Sequence, residues 1–488
     1  MITFILSIVL LLAGYFFYSK LVSKIFGVDA NRPTPAYTKQ DGIDYIPMKS
    51  WRIFLIQFLN IAGLGPIFGA IMGAQFGTAS FLWIVFGSIF AGATHDYLAG
   101  MISLRNGGMS LPEIHGKYLG NGVKQVMRVF SVFMMILVGV VFLDGPAKIL
   151  STIIPQVDVY IWIIIIFIYY IVATLLPINK IIGKIYPVFG SCLLFMALGI
   201  LISILIKQPH LPEIWEGLEN KMPNADSTPI FPMMFISIAC GAISGFHATQ
   251  SPLMARCMTN EKQGRPIFYG TMIAEGIVAL IWAAAASYFF FDPSSGKENI
   301  DASKGAAVIV DYISRNWLGT AGAILTMLGV VFAPITSGDT AIRSGRLIVA
   351  DFLKYDQKSI KNRLVISIPI FAITAGILVW EIKDAEGFDM IWRYFAWANQ
   401  VLSVPTLWAI TIYLAQKRKV YIITLIPALF MTMVCTTFIL IAKKEGFGLP
   451  ENLAYCIAGF ITLVLAIVFF AWKRKYKTEI NEETINIK

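Results

Sequence analysis

The 488-residue sequence predicts an all-α polytopic membrane protein of about thirteen transmembrane helices. Three observations carry this: a composition too apolar for a soluble surface, a succession of long apolar runs, and a one-sided distribution of basic residues. Hydrophobic residues make up 57% of the chain and charged residues only 14%, with a mean hydropathy of +0.71. A soluble domain carries roughly 45–50% apolar and about 25% charged residues, because its surface must hold water. The shortfall excludes a cytosolic enzyme, a disordered chain and a nucleic-acid binder. The net charge of +10 then reads as a bias of cytoplasmic loops toward Lys and Arg.

A bilayer is crossed by about 20 mostly apolar residues in a helix. The runs that qualify are 2–22, 54–76, 80–102, 126–149, 159–178, 186–206, 230–250, 268–291, 319–342, 364–381, 388–414, 420–441 and 453–472. The first lacks the basic flank and small-residue cleavage site of a signal peptide and is read as a retained helix. With the N-terminus outside, 29 of the 39 Lys and Arg residues fall on the cytoplasmic side. The outward loops hold the rest, mixed with acids such as Glu213, Glu216, Glu219 and Asp226. A missed span would scramble every later loop, so the C-terminus is placed in the cytoplasm. Tyr15, Trp51, Trp162, Trp282, Trp380 and Trp472 at span edges fit interfacial belts and need no binding role. The five cysteines form no C-x-x-C pair and read as small buried hydrophobes.

Two spans are interrupted. The second packs Gly63, Gly65, Pro66, Gly69, Gly73 and Gly77 into one helix length and ends near Gln75. The seventh, Ile238 to Pro252, thins into glycine at its middle and carries Ser244, Gly245, His247 and Gln250. Proline removes a backbone donor and glycine weakens helix, so each span is expected to break. Close packing through small faces is the plainer role for these glycines. The functional reading is a discontinuous helix whose freed backbone faces a cavity. Being five spans apart, the two cross in opposite directions. Interrupted segments at matching places in two inverted halves point to a transporter's midplane site. The single transmembrane domain thus divides into an extra helix at 1–25 and five-helix units at 52–206 and 230–414. Two helices at 420–473 and a cytoplasmic tail at 474–488 complete it. The substrate-binding candidates are Gly63, Gly65, Pro66, Gln75, Ser244, Gly245, His247 and Gln250.

Several short motifs add a family. Asp41-Gly-x-Asp-Tyr-x-Pro47, Ile61-Ala-Gly-x-Gly-Pro66, Gly77, Leu82-Trp83, Gly92-Ala-x-His-Asp96 and Ser103-x-Arg-x-Gly-Gly-x-Ser110 together resemble the carbon starvation protein A family. Ser244-Gly-Phe-His-Ala248 and Thr336-Ser-Gly-Asp-Thr-Ala-x-Arg343 carry the resemblance into the second half, so that it covers roughly residues 40–350. It implies uptake of short peptides or pyruvate across the bacterial inner membrane when carbon is scarce, coupled to protons. It also implies the five-plus-five inverted fold of the amino acid–polyamine–organocation superfamily. The chain departs at Phe54-Leu-Ile-Gln-Phe58, where many members have Phe-Gly-His-His-Phe, and no role of that histidine pair is carried over.

Charge inside a bilayer is costly, so intramembrane ionisable residues usually line a water path. Asp339 and Arg343 stand at i and i+4 on one helix face, either as a structural ion pair or as a proton carrier with its tuning cation. In the fold that the resemblance implies, spans 2 and 9 are neighbours at an ion site. Thr336, Ser337 and Thr340 would then offer hydroxyls to a sodium ion beside the freed carbonyls of span 2. His95 and Asp96 end span 3, either solvated at the interface or titrating in the cytoplasmic pathway. Glu275 in span 8 is a second proton-carrier candidate or a structural hydrogen-bonding group. Asp144 with Gly145-Pro146 reads as a helix terminus, and Trp392, Trp397, Asn399 and Gln400 are ambiguous.

No cofactor is expected beyond a coupling ion, H+ or alternatively Na+. Neither a P-loop nor the motifs H-E-x-x-H and G-x-S-x-G occur, and four scattered histidines predict no metal site. The expected partners are a small-molecule substrate and membrane lipid. A secondary transporter importing a small nutrient is the reading, with a sodium-coupled symporter of amino acids or small carboxylates, or a passive channel, as alternatives.

Overall fold

The computed structural model describes all residues except 43, 176–177, 224, 293–304, 358, 384–386 and 487–488. Apolar side chains leave no water for the backbone in a membrane, so each segment satisfies its own peptide groups as helix. In chain order these are α1 (Ile2–Phe26), α2 (Ser50–Ile61), α3 (Gly65–Ala74), α4 (Ala79–Arg105), α5 (Asn121–Ile153), α6 (Val159–Leu175) and α7 (Ile178–Lys207). They continue as α8 (Gly245–Ala255), α9 (Glu261–Phe291), α10 (Ala306–Leu325), α11 (Phe332–Leu353), α12 (Ile360–Lys383), α13 (Gly387–Gln416), α14 (Ile422–Ile441) and α15 (Glu451–Asn486).

Among the described residues, α1, α4, α5, α9, α12, α14, α15 and the Val188–Lys207 part of α7 are long and apolar enough to cross a membrane. The bent pair α2–α3 is a ninth candidate. The protein is a multi-pass, all-helical membrane protein. The remaining segments read as spans fall on α6, on a short helix at 230–237 followed by α8, on α10–α11 and on α13.

Burial sorts the helices into centre and rim. In their most apolar stretches α4 and α9 are 83% buried within the protein, against 33% for α1 and 17% for α15. The rim helices present Leu, Ile, Val and Phe outward, a surface suited to the apolar interior of a membrane. At the centre, α11 lies along α5 and touches α2, α9 packs on α3 and α4, and α8 runs between α4 and α13.

One helix end was misplaced by sequence. Asp144-Gly145-Pro146 does not terminate α5, which continues to Ile153. Pro146 deprives the Phe142 carbonyl of its helical donor. The Tyr170 hydroxyl of α6 supplies one instead, at 2.9 Å, and the helix survives.

Candidate functional site

The first break occupies residues 62–64, between α2 and α3, which meet at 53°. Its loose groups are claimed by α11. Ser337 Oγ lies 2.8 Å from the Leu59 carbonyl, and Thr340 Oγ1 lies 3.2 Å from Asn60 Oδ1. The hydroxyls expected to face span 2 therefore do so, while Thr336 Oγ1 donates along its own helix to the Ala333 carbonyl.

The second break runs from residue 238 to 244. Gly241 at its centre has φ +94°, a conformation that side-chain-bearing residues avoid. Ser88 Oγ donates to the Gly241 carbonyl at 2.7 Å. Asn399 of α13 closes the other end: its Oδ1 accepts from Ser244 Oγ at 2.9 Å and from the Phe246 amide at 2.8 Å. It thereby satisfies the start of α8, where backbone donors have no helical partner. Its Nδ2 faces Cys240 Sγ at 3.3 Å.

The two breaks are in direct contact. A Cβ placed on Gly65 would stand 2.3 Å from Cys240 Sγ. Gly245 is equally crowded, with the Asn399 carbonyl and the Ser403 amide each 2.5 Å from its would-be Cβ. These two glycines, proposed from sequence to line a substrate cavity, here let chain segments approach closely. Gly63 and Pro66 are also buried at the first break.

Beside the second break, four ionisable residues from three helices form a chain. Asp96 of α4 accepts from His95 Nδ1 and from His247 Nδ1 of α8, both at 2.8 Å. His247 Nε2 faces Glu275 Oε2 of α9 at 3.4 Å, and all four side chains are fully buried. His95 and Asp96 are thus not solvated at an interface, because α4 crosses the centre of the bundle. Cys240 completes the group: a ligand atom from each of Cys240, His247 and Glu275 falls within 4.8 Å of the others. The four scattered histidines predicted no metal site; one of them here meets a cysteine and a glutamate. Residues 240, 247 and 275 share no motif spacing; the break turns the first two toward α9. His247 thus presents Nδ1 to Asp96 and Nε2 to Glu275, so that its ring bridges two buried carboxylates.

The other candidates lie elsewhere. Arg343 directs Nη2 to the Ala173 carbonyl at 2.7 Å, while Asp339 accepts from Tyr169 Oη at 3.4 Å. Each of the two thus meets a partner on α6. Gln250 Nε2 donates to Thr249 Oγ1 at 3.1 Å and lies 3.4 Å from Ser344 Oγ. Gln75 stands apart from it, on the wall of a cavity of about 480 Å3 shared with Phe68, Lys148, Trp392 and Arg393. There Lys148 pairs with Asp144 at 2.6 Å and with Glu381 at 3.2 Å. Sequence reasoning passed over Cys240 and left Asn399 undecided. The one available signal was the placement of Cys240 inside the glycine interruption.

Known proteins share this architecture. The profile of the carbon starvation protein CstA family matches residues 1–157, 147–314 and 299–438. An uncharacterized membrane protein of Haemophilus influenzae is 41% identical over 64% of this chain and 99% of its own. The peptide transporter CstA of Bacillus subtilis is 24% identical, covering 96% of this chain and 94% of its own. The pyruvate/proton symporter BtsT of Escherichia coli is 23% identical, covering 89% and 80%. Among solved structures, MhsT in complex with L-phenylalanine aligns with TM-score 0.55 at 14% identity, over 86% of this chain and 98% of its own. A manganese transporter of Eremococcus coleocola aligns with TM-score 0.53 at 12% identity, over 91% and 99%.

Proposed function

We propose, from the premise that this chain belongs to the carbon starvation protein CstA family, that it is a secondary active transporter importing short peptides or pyruvate. The observation that carries the reading is the meeting of two broken helices at Gly65 and Cys240 in the centre of the bundle. Broken helices expose backbone groups that suit a small polar solute, and inverted units rocking about such a point give alternating access. In this reading the chain makes thirteen spans in the bacterial cytoplasmic membrane, with the N-terminus outside and the C-terminus in the cytoplasm. Residues 52–206 and 230–414 are the inverted units, and the role is nutrient uptake during carbon starvation.

The cavity beside α3 supports a route inward. Its volume lies within the range of small-ligand sites. On its wall stand Lys148, paired with Asp144 and Glu381, and Arg393, paired with Glu445, so that a substrate carboxylate would have to compete with these for either cation. Pyruvate entering against an inside-negative potential costs about 2.3 kcal/mol per 100 mV, so a cation must accompany it. H+ is the coupling ion in this reading, carried by Asp339, a buried carboxylate two residues from the Ser337 contact with the first break. Sodium is the second reading, favoured by the Ser337 hydroxyl lying against the Leu59 carbonyl.

Proteoliposomes test this directly. Labelled pyruvate and a labelled dipeptide are offered with an imposed proton gradient. Accumulation that collapses with the gradient supports proton coupling, and accumulation that follows sodium transfers the role to Ser337. Downhill flux without accumulation makes the protein a channel. Asp339→Asn is expected to abolish accumulation while keeping substrate exchange.

A further inference from the structure

The buried group at Cys240, His247 and Glu275 is not used by the transport reading, and its chemistry is unusual. His247 and Glu275 are both fully buried, and Nε2 and Oε2 face each other at 3.4 Å. With Asp96 against Nδ1, Nε2 is the ring nitrogen aimed at the Glu275 carboxylate. A buried nitrogen and carboxylate set face to face in a dry interior call for a cation between them, a proton or a metal ion.

The spacing says what fits. At 3.4 Å the separation of His247 Nε2 and Glu275 Oε2 is long for a charge-assisted hydrogen bond. Two ligand atoms each about 2.0–2.2 Å from a tetrahedral ion stand about 3.3–3.5 Å apart, which matches. Cys240 adds a sulfur within 4.8 Å of both. Asn399 Nδ2, 3.3 Å from Cys240 Sγ, is placed to donate to a thiolate. The carboxylate behind the imidazole is the arrangement that orients a metal-binding histidine.

We propose that Cys240, His247 and Glu275 bind one divalent transition-metal ion of the zinc type, with Asp96 positioning His247. Thiolate and imidazole favour Zn2+, and Co2+ as its spectroscopic substitute, over Mg2+, Ca2+ or Mn2+. Three protein ligands leave the fourth position of a tetrahedral ion for water. The ion ties the second break to α8 and α9, so its binding arrests any movement between them. That consequence, and the access route for the ion, rest on the transport reading above.

The test begins with the full-length protein purified in detergent, under reducing conditions, from zinc-supplemented cells. About one zinc per chain is expected by elemental analysis. After zinc removal, added Co2+ should give a thiolate-to-cobalt charge-transfer band and tetrahedral visible bands. Cys240→Ser should lose the charge-transfer band, and His247→Gln or Glu275→Gln should weaken binding at least 10-fold. Each variant is first shown monodisperse and helical. Asp96→Asn should keep the band and weaken affinity by about 10–100-fold. A metal-free wild type, or a band that survives in Cys240→Ser, overturns the site and leaves a proton between His247 and Glu275. In proteoliposomes, Zn2+ should stop uptake and a chelator should restore it. Stoichiometric binding with undiminished uptake overturns the arrest. Binding in a protein that transports neither test substrate overturns the transport reading and leaves the metal site standing.

Discussion

The two helix breaks are built alike and equipped differently. Between α2 and α3, α11 supplies two hydroxyls, one to the Leu59 carbonyl and one to the Asn60 side-chain oxygen. Before α8, Asn399 and Ser88 tie down the backbone. Yet the side chains Cys240, His247 and Glu275 also converge there, with a ligand atom of each within 4.8 Å of the others. A break that is only tied down behaves as a joint, whereas one that gathers ionisable side chains marks where a proton, ion or substrate belongs.

The largest expected effect comes from separating the breaks. Gly65→Leu should abolish uptake and cost about 3 kcal/mol or more, because the new side chain must occupy the position of Cys240 Sγ. If the contact itself is responsible, Cys240→Gly should return about 1 kcal/mol of the loss in Gly65→Ala, measured as coupling in a double-mutant cycle of thermal stability. Additive effects would mean that the breaks do not press on each other.

Asn399→Ala comes next. It strips the acceptor from Ser244 and from the Phe246 amide, and the donor from Cys240, and should cost about 2 kcal/mol. Asn399→Asp keeps the acceptors and should recover most of that stability while weakening Co2+ binding through Cys240. Equal losses in both variants would make Asn399 a packing residue. At the first break, Ser337→Ala should cost about 1 kcal/mol by leaving the Leu59 carbonyl without its hydroxyl. Uptake should persist if protons drive it, and should lose its ion dependence if sodium does.

The smallest effect belongs to a control far from both breaks. Burial raises the pKa of Glu213, but the N-terminal ammonium, the Thr3 hydroxyl and the amides of Ile2 and Thr3 overcome it, leaving the carboxyl at about 2 against an ordinary 4.5. A lowered folded pKa contributes stability above the unfolded value, and that stability fades as pH falls from about 4.5 towards 2. Melting temperatures of wild type and Glu213→Gln should therefore differ at pH 6 and converge near pH 2. A constant difference across that range would mean that the ion pair contributes nothing.

Much of this was legible in the residues. Long apolar runs read directly as helices because a bilayer leaves the backbone no other partner. The glycines and prolines at 63–66 and 241–252 read as interruptions because their effect on helix is local. Ser337 and Thr340 were placed against span 2 through the family resemblance. Asp339 and Arg343 were joined by spacing alone, which does not see the partners that α6 offers to each. The end of α5 was misplaced for a similar reason, since Tyr170 repaired what Pro146 removed.

By itself the sequence determined that this is a multi-pass membrane protein, where its helices lie and which of them break. Each of those properties depends on a residue's own side chain and its near neighbours. Only the tertiary structure decided that Cys240, His247, Glu275, Asp96 and Asn399 share one site. They come from four separate stretches of the chain, and hydrogen bonds of about 3 Å depend on packing that no local pattern encodes.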